Sequence, residues 1–455
     1  MRRNVSGVHA KLLLTHLDCT LLRLDSVGHP MQWVLGFNLE SEGPINIDEL
    51  RARIATRARE HDMYRMHLPQ RIRRRPRFIL AEDIDPFHHV KAESVEDRTE
   101  LLSVVARLLA TQMARDRPLW DVTLIDQRDS RTQTILLRVH HCLSDGVAAP
   151  GFAALFVDTS TNTTADYSRF ISTVRYPFPL KITWQTWKAM PKDFRASRNA
   201  RRRPRAQPFP PKNCQRQVKA FLIPVVQLRR NAAQAGTSTT EYILAAATIA
   251  YRRIYAPTRK AAEGLRVMIP ITLDRELRHA GNAIVPAFLD VNPEIEHLGD
   301  QSRAVSQQVR QEEYISQAVE FMRACMDLQY LPYRLQHSFT NRFIRDRCDL
   351  TVSITPGFAS RQSVFDRKVI STLPFAPLMA DQLMVTALTL GDTVSIGIIA
   401  DPRNLSVDIS AFSSALETLL RDPIGTNTSP EGQSRSPLGR QSHVFDASIN
   451  SRRSK

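Results

Sequence analysis

The chain has 455 residues, 42% of them hydrophobic and 24% charged, enough apolar material for two globular cores and too much for a chain disordered throughout. Its formal net charge of +16 suits anionic lipid, phosphate-rich small molecules or nucleic acid. No zinc-finger spacing or RNA-binding aromatic signature accompanies the arginines, which places nucleic acid last. The five cysteines, Cys19, Cys142, Cys214, Cys325 and Cys348, are scattered, without a Cys-x-x-Cys, arguing against a disulfide framework or zinc site and for a reducing cytoplasm.

In chain order, the start is basic but lacks the apolar core of a signal peptide, and no run of about 18 apolar residues follows anywhere; any membrane association is expected to be peripheral. Spacing predicts helices over 47–60 and 100–114, the second carrying Leu101, Val104, Val105, Leu108, Leu109 and Met113 on one face and stopped by Pro118. Residues 120–125 and 134–139 read as strands, the second running into His140 and His141. Residues 148–157 form a short apolar helix candidate after a turn at Gly146. The stretch 191–217, proline-rich and basic, reads as an interdomain linker. Beyond it come a strand at 219–226, a helix at 239–255, a strand at 265–271, a long helix at 302–326, and strands at 349–354 and 384–400. The polar, Ser/Arg-rich end reads as a disordered tail over 426–455. The organisation expected is thus an N-terminal domain over 1–190, the linker, a C-terminal domain over 218–425 and the tail.

The segment with chemistry is His140-His141-Cys142-Leu143-Ser144-Asp145-Gly146. A strand end presents side chains on a rigid rim. A neutral imidazole there has the basicity to take a proton from an attacking alcohol near physiological pH. Asp145 can hold the turn, and Gly146 permits a backbone shape that a side chain would block. Read blandly, a histidine pair is surface or structural, and Asp145 is a turn residue. A metal reading lacks a third ligand at matching spacing.

This motif resembles that of the bacterial wax ester synthase/diacylglycerol acyltransferases, within the wider CoA-dependent acyltransferase fold, and other marks follow in the family's order. They are Leu17-Asp18, Pro30-Met31, Asp85-Pro86-Phe87 with His89-Val90, Pro118-Leu119-Trp120, Ile269-Pro270-Ile271, Gly281-Asn282 and Pro356-Gly357. The resemblance spans about 14–401. Each mark has a bland reading alone: Leu119 and Trp120 as core, Gly281-Asn282 as a turn. The resemblance implies an α/β fold of two similar domains, each a mixed sheet flanked by helices, with an active-site tunnel between them. It implies His141 as general base beside His140, a structural Asp145, acyl-CoA as donor substrate with no cofactor and no metal, and diacylglycerol or a fatty alcohol as acceptor, taken at a membrane or lipid-body surface. Relatives of the condensation or polyketide-associated type share the histidine motif, but the Asp-Phe-Gly-Trp-Gly string they carry is absent. A non-catalytic lipid-binding relative is the reading from another class.

Three marks depart from the family pattern. Thr240-Glu241 stands where the family has Asn-Asp, Ser353-Ile354 where it has Ser-Asn, and Phe358 where it has a second proline. The expectation is a loosened tunnel and a weak enzyme with the base intact.

Overall fold

The computed structural model describes residues 14–158 and 213–421, apart from 42, 71, 73–75, 259, 261–262, 273–280, 311–320, 323–330, 333–334, 339–347, 359–360, 379–382 and 406–407. The expected tail, most of the expected linker, and the end of the helix expected over 302–326 lie outside the described residues.

Two six-stranded mixed sheets form the architecture. The first has strand order β11-β12-β1-β6-β5-β4: Ser363–Val364, Arg367–Phe375, Gln32–Leu39, Thr132–His140, Trp120–Gln127 and Val90–Val95. The second has the order β7-β14-β13-β10-β8-β9: Gln217–Pro224, Thr393–Ala400, Leu383–Leu390, Leu350–Phe358, Leu265–Thr272 and Ile284–Val291. A short ribbon pairs β2, Met66–His67, with β3, Ile79–Leu80. This is the two-part α/β arrangement expected from the sequence, with one departure in chain order. Residues 363–375, from the second half of the chain, close the edge of the first sheet, β12 running antiparallel to β1 with Val34 opposite Phe375.

The first sheet is covered on both faces. One face packs Trp33, Phe37, Val122 and Leu137 against Leu50 and Ile54 of the helix Ile47–Glu60 and against Phe152 and Phe156. The other packs Val34, Ile125 and Leu136 against Leu101, Val105 and Leu108 of the helix Arg98–Ala110, and against Leu373 and Ile399. Burial of each such side chain contributes about 1.5–3 kcal/mol. The helix Arg98–Ala110 ends well before Pro118. Its last carbonyls are taken by side chains from the sheet: Gln32 Nε2 donates to Leu108 O and Thr111 O at 2.9 and 2.7 Å, and Arg138 Nη1 donates to the same two carbonyls at 3.1 and 3.2 Å.

In the second sheet, β10 alternates. Leu350, Val352 and Ile354 pack into the core beneath the helices Thr239–Tyr255 and Ile409–Arg421, while Thr351, Ser353 and Thr355 face the opposite way, into a cleft. Strands β8 and β10 are parallel but register only at Leu350–Val267 and Thr351–Met268. Beyond that lies Pro270, which stands opposite Pro286 of β9. Two facing prolines have no N–H to exchange, so they occupy a pair whose nitrogens point away from each other. Pro270 therefore turns its donorless nitrogen toward β10, where the ladder stops. The two sheets meet at β12 and β14. There Thr372 N and Oγ1 donate to Ser395 Oγ at 3.3 and 2.9 Å, and a Cβ on Gly397 would lie 1.9 Å from the Pro374 carbonyl oxygen.

Candidate active site

The cleft between the sheets is lined mainly by apolar groups, among them Trp33 and Leu35 of β1, Met268 and Pro270 of β8, and Ile284 of β9, with His141 and Gly146 at one wall. His141 stands one residue past β6. Its backbone N–H donates to Met31 O at 2.7 Å, and the following turn is closed by Leu143 N donating to His140 O at 2.9 Å. Gly146 faces Thr355: a Cβ there would lie 3.0 Å from Thr355 Oγ1.

The tautomer of His141 follows from its partner. Its Nδ1 lies 2.9 Å from Asn282 Oδ1. The amide nitrogen of Asn282 donates to Asp18 Oδ1 and to the His141 carbonyl, both at 2.7 Å. The carbonyl can only accept, so the Asn282 oxygen faces the ring, and Nδ1 must carry the proton. That leaves Nε2 with a bare lone pair. Burial lowers the His141 pKa from 6.5, against the opposing pull of its hydrogen bonds and the Asp145 charge. The imidazole is thus neutral at pH 7 and able to accept a proton.

Asp145 is fully buried. Its Oδ1 accepts from Val147 N and Ala148 N at 3.0 and 3.1 Å, and its Oδ2 accepts from Ala283 N at 2.9 Å. Gly281 N donates to Leu143 O at 2.5 Å, with Gly281 at φ +87°, a conformation natural to glycine. Residues 281–283 are thereby fastened to the motif turn. The Gly281-Asn282 pair, legible in the sequence only as a turn or a family mark, supplies the contact to His141.

His140 occupies a different environment. Its Nδ1 accepts from Cys142 N at 3.1 Å, and its Nε2 lies 3.5 Å from Asp25 Oδ2. Asp25 also accepts from Arg115 at 2.5 Å and Gln112 at 2.6 Å. Burial alone would raise the Asp25 pKa, but the opposing pull of His140 and Arg115 holds it well below the usual carboxylate range. The Pro118-Leu119-Trp120 segment lies beneath this wall: Leu119 O accepts from His140 N at 2.9 Å, and the buried Trp120 donates from Nε1 to Tyr64 O at 2.7 Å, its ring against His89. Neither His140 nor Trp120 lines the cleft.

The three departures do not act as expected. Glu241 closes a capping box with Ser238: Glu241 N donates to Ser238 Oγ at 3.2 Å and Ser238 N to Glu241 Oε2 at 2.7 Å. Ile354 turns into the second core, and Phe358 packs edge-on to Phe37 at 5.8 Å. None of these residues, nor Thr240, lines the cleft.

A paired-sheet scaffold with a motif histidine at the central cleft defines a condensation-type acyltransferase fold. The starter condensation domain of rhizomide synthetase RzmA, solved in complex with C8-CoA and Leu-SNAC, superposes with a TM-score of 0.57 at 12% identity, over 92% of this chain and 96% of that one. The wax ester synthase/diacylglycerol acyltransferase from Marinobacter aquaeolei VT8 superposes at 0.62, with 19% identity over 90% of this chain and 98% of that one. In sequence, the probable diacylglycerol O-acyltransferase tgs1 of Mycobacterium tuberculosis is 24% identical, over 85% of this chain and 90% of its own length. The profile of the wax ester synthase/diacylglycerol acyltransferase catalytic domain matches residues 14–266, more than half of the chain. The protein belongs to that family and is an acyltransferase of its type.

Proposed function

We propose that the protein transfers a long-chain acyl group from acyl-CoA to the hydroxyl of diacylglycerol, of a long-chain alcohol, or of both, with His141 as general base. The observation that carries this is the neutral imidazole in an apolar cleft, its Nδ1–H held by Asn282 and its Nε2 lone pair free to accept. As the acceptor hydroxyl attacks the thioester carbonyl, Nε2 takes its proton and returns it to the departing CoA thiolate. Charge therefore never accumulates on the alcohol oxygen in a poorly solvating site. Asp145 is structural in this reading: its oxygens are committed to backbone N–H groups. His140 acts through packing.

Acyl-CoA is a substrate, and the chain's own residues supply the proton chemistry. No described helix is long and apolar enough to cross a membrane, and the positive charge suits peripheral contact with anionic lipid, where the apolar acceptors reside. The decisive experiment offers radiolabelled palmitoyl-CoA with dioleoylglycerol and hexadecanol in parallel. Labelled triacylglycerol, wax ester or both is the expected product. Label that stays on CoA with both acceptors would refute the assignment.

A further inference from the structure

Asp18 is a carboxylate in the apolar helix His16–Leu24, only 3% exposed. That helix is wedged between the two halves: Leu17 and Leu21 enter the second core, Cys19 and Leu22 the first. Capping accounts for one carboxylate oxygen, since Oδ2 accepts from Thr15 N at 2.8 Å. The other, Oδ1, reaches across to Asn282 Nδ2 at 2.7 Å. Helix capping gives no reason for that second contact.

We propose that Asp18 is a positioning residue for His141, fixing the Asn282 amide and, through it, the tautomer of the imidazole. The proposal deepens the general-base reading and rests on it for its kinetic consequence. Were the Asn282 amide to rotate by half a turn, its oxygen would face two acceptors, Asp18 Oδ1 and the His141 carbonyl. Its NH2 would then face His141 Nδ1, which would have to be bare. The ring proton would move to Nε2, and no lone pair would remain toward the cleft. The Asp18 carboxyl opposes that rotation because its Oδ1, like the His141 carbonyl, stands as acceptor to the Asn282 NH2; burial pushes the Asp18 pKa up, and the hydrogen bonds from Asn282 and Thr15 pull against that push. Asparagine cannot replace it. Two N–H groups, from Thr15 and Asn282, need acceptors, and an amide offers one oxygen. A replacement amide bonded to Thr15 N would present its own NH2 to Asn282 and invite the flip.

The test reads the tautomer directly, from the ring-nitrogen shifts of His141 in full-length protein labelled with ¹⁵N-histidine. Wild type should carry the proton on Nδ1. Asp18→Asn should move a large share of it to Nε2. Thr15→Ala breaks the cap but leaves the Asp18–Asn282 contact, so it should lower the melting temperature and leave the tautomer unchanged. With palmitoyl-CoA and the preferred acceptor, Asp18→Asn should lower kcat by up to roughly 10⁴-fold, the cost of a wrong-tautomer histidine base, with KM little altered. Added to Asn282→Ala, it should lower kcat no further, because it acts through that residue. If Asp18→Asn does not fold, Asp18→Ser is read in the same spectrum. A folded variant whose proton stays on Nδ1, or losses that multiply in the double variant, would overturn the proposal. Absence of turnover in wild type would sink the general-base reading while the spectra still decide Asp18.

Discussion

His141 works as a base only while neutral, so its titration sets the acid limb of the rate. Burial pushes its pKa below 6.5, so turnover should rise with pH to a plateau with its midpoint below 6.5. A midpoint above that value would contradict the environment described. His141→Ala should lower acyl transfer roughly 10²- to 10⁴-fold with the fold retained. Asp145→Asn should behave otherwise. An amide offers one oxygen where three backbone N–H groups now bond two, so at least one buried donor is stranded, at a cost of about 1–3 kcal/mol. Activity and melting temperature should fall together; an inactive variant melting like wild type would give Asp145 a chemical role. At this scale the motif was legible because its residues are contiguous. Asp18 and Asn282 were visible only as family marks, since Asn282 reaches His141 across 141 positions of sequence and Asp18 reaches Asn282 across 264.

At the scale of elements, the strongly periodic helices Ile47–Glu60 and Thr239–Tyr255 coincide with their sequence readings. Strand β1 escaped because all eight of its residues are buried, and a strand covered on both faces shows no alternation. The helix Val225–Gln234 has no counterpart in the sequence reading, whose strand ran on to 226; Pro224, extended at φ −62° and ψ 132°, ends the strand and opens the helix. The capping role of Glu241 sets an element-level prediction. The paired change Thr240→Asn with Glu241→Asp shortens the carboxylate that closes the box, so it should cost about 0.5–1 kcal/mol of stability and leave turnover unchanged. A rise in rate would restore the idea that these positions shape the channel. Gly397→Ala should cost more, about 1–3 kcal/mol, because its methyl meets the rigid Pro374 carbonyl where the sheets touch.

At the scale of the whole molecule, the net charge of +16 should give binding to anionic vesicles that weakens as salt rises from about 0.05 to 0.5 M, where surface attraction is screened. Salt-independent pelleting with the vesicles would point to insertion of apolar groups instead. The strand β12 has a consequence for how the chain is made. The first sheet presents β1 as a raw edge until residues 367–375 emerge and pair with it. At roughly 5–20 residues per second, the nascent first half waits tens of seconds after β6 before that edge can close. A polypeptide ending between the two halves would keep the edge permanently open, so it should precipitate when expressed alone and be rescued by co-expression of the remainder. The carboxyl-terminal half thus supplies the strand that completes the sheet of its predecessor.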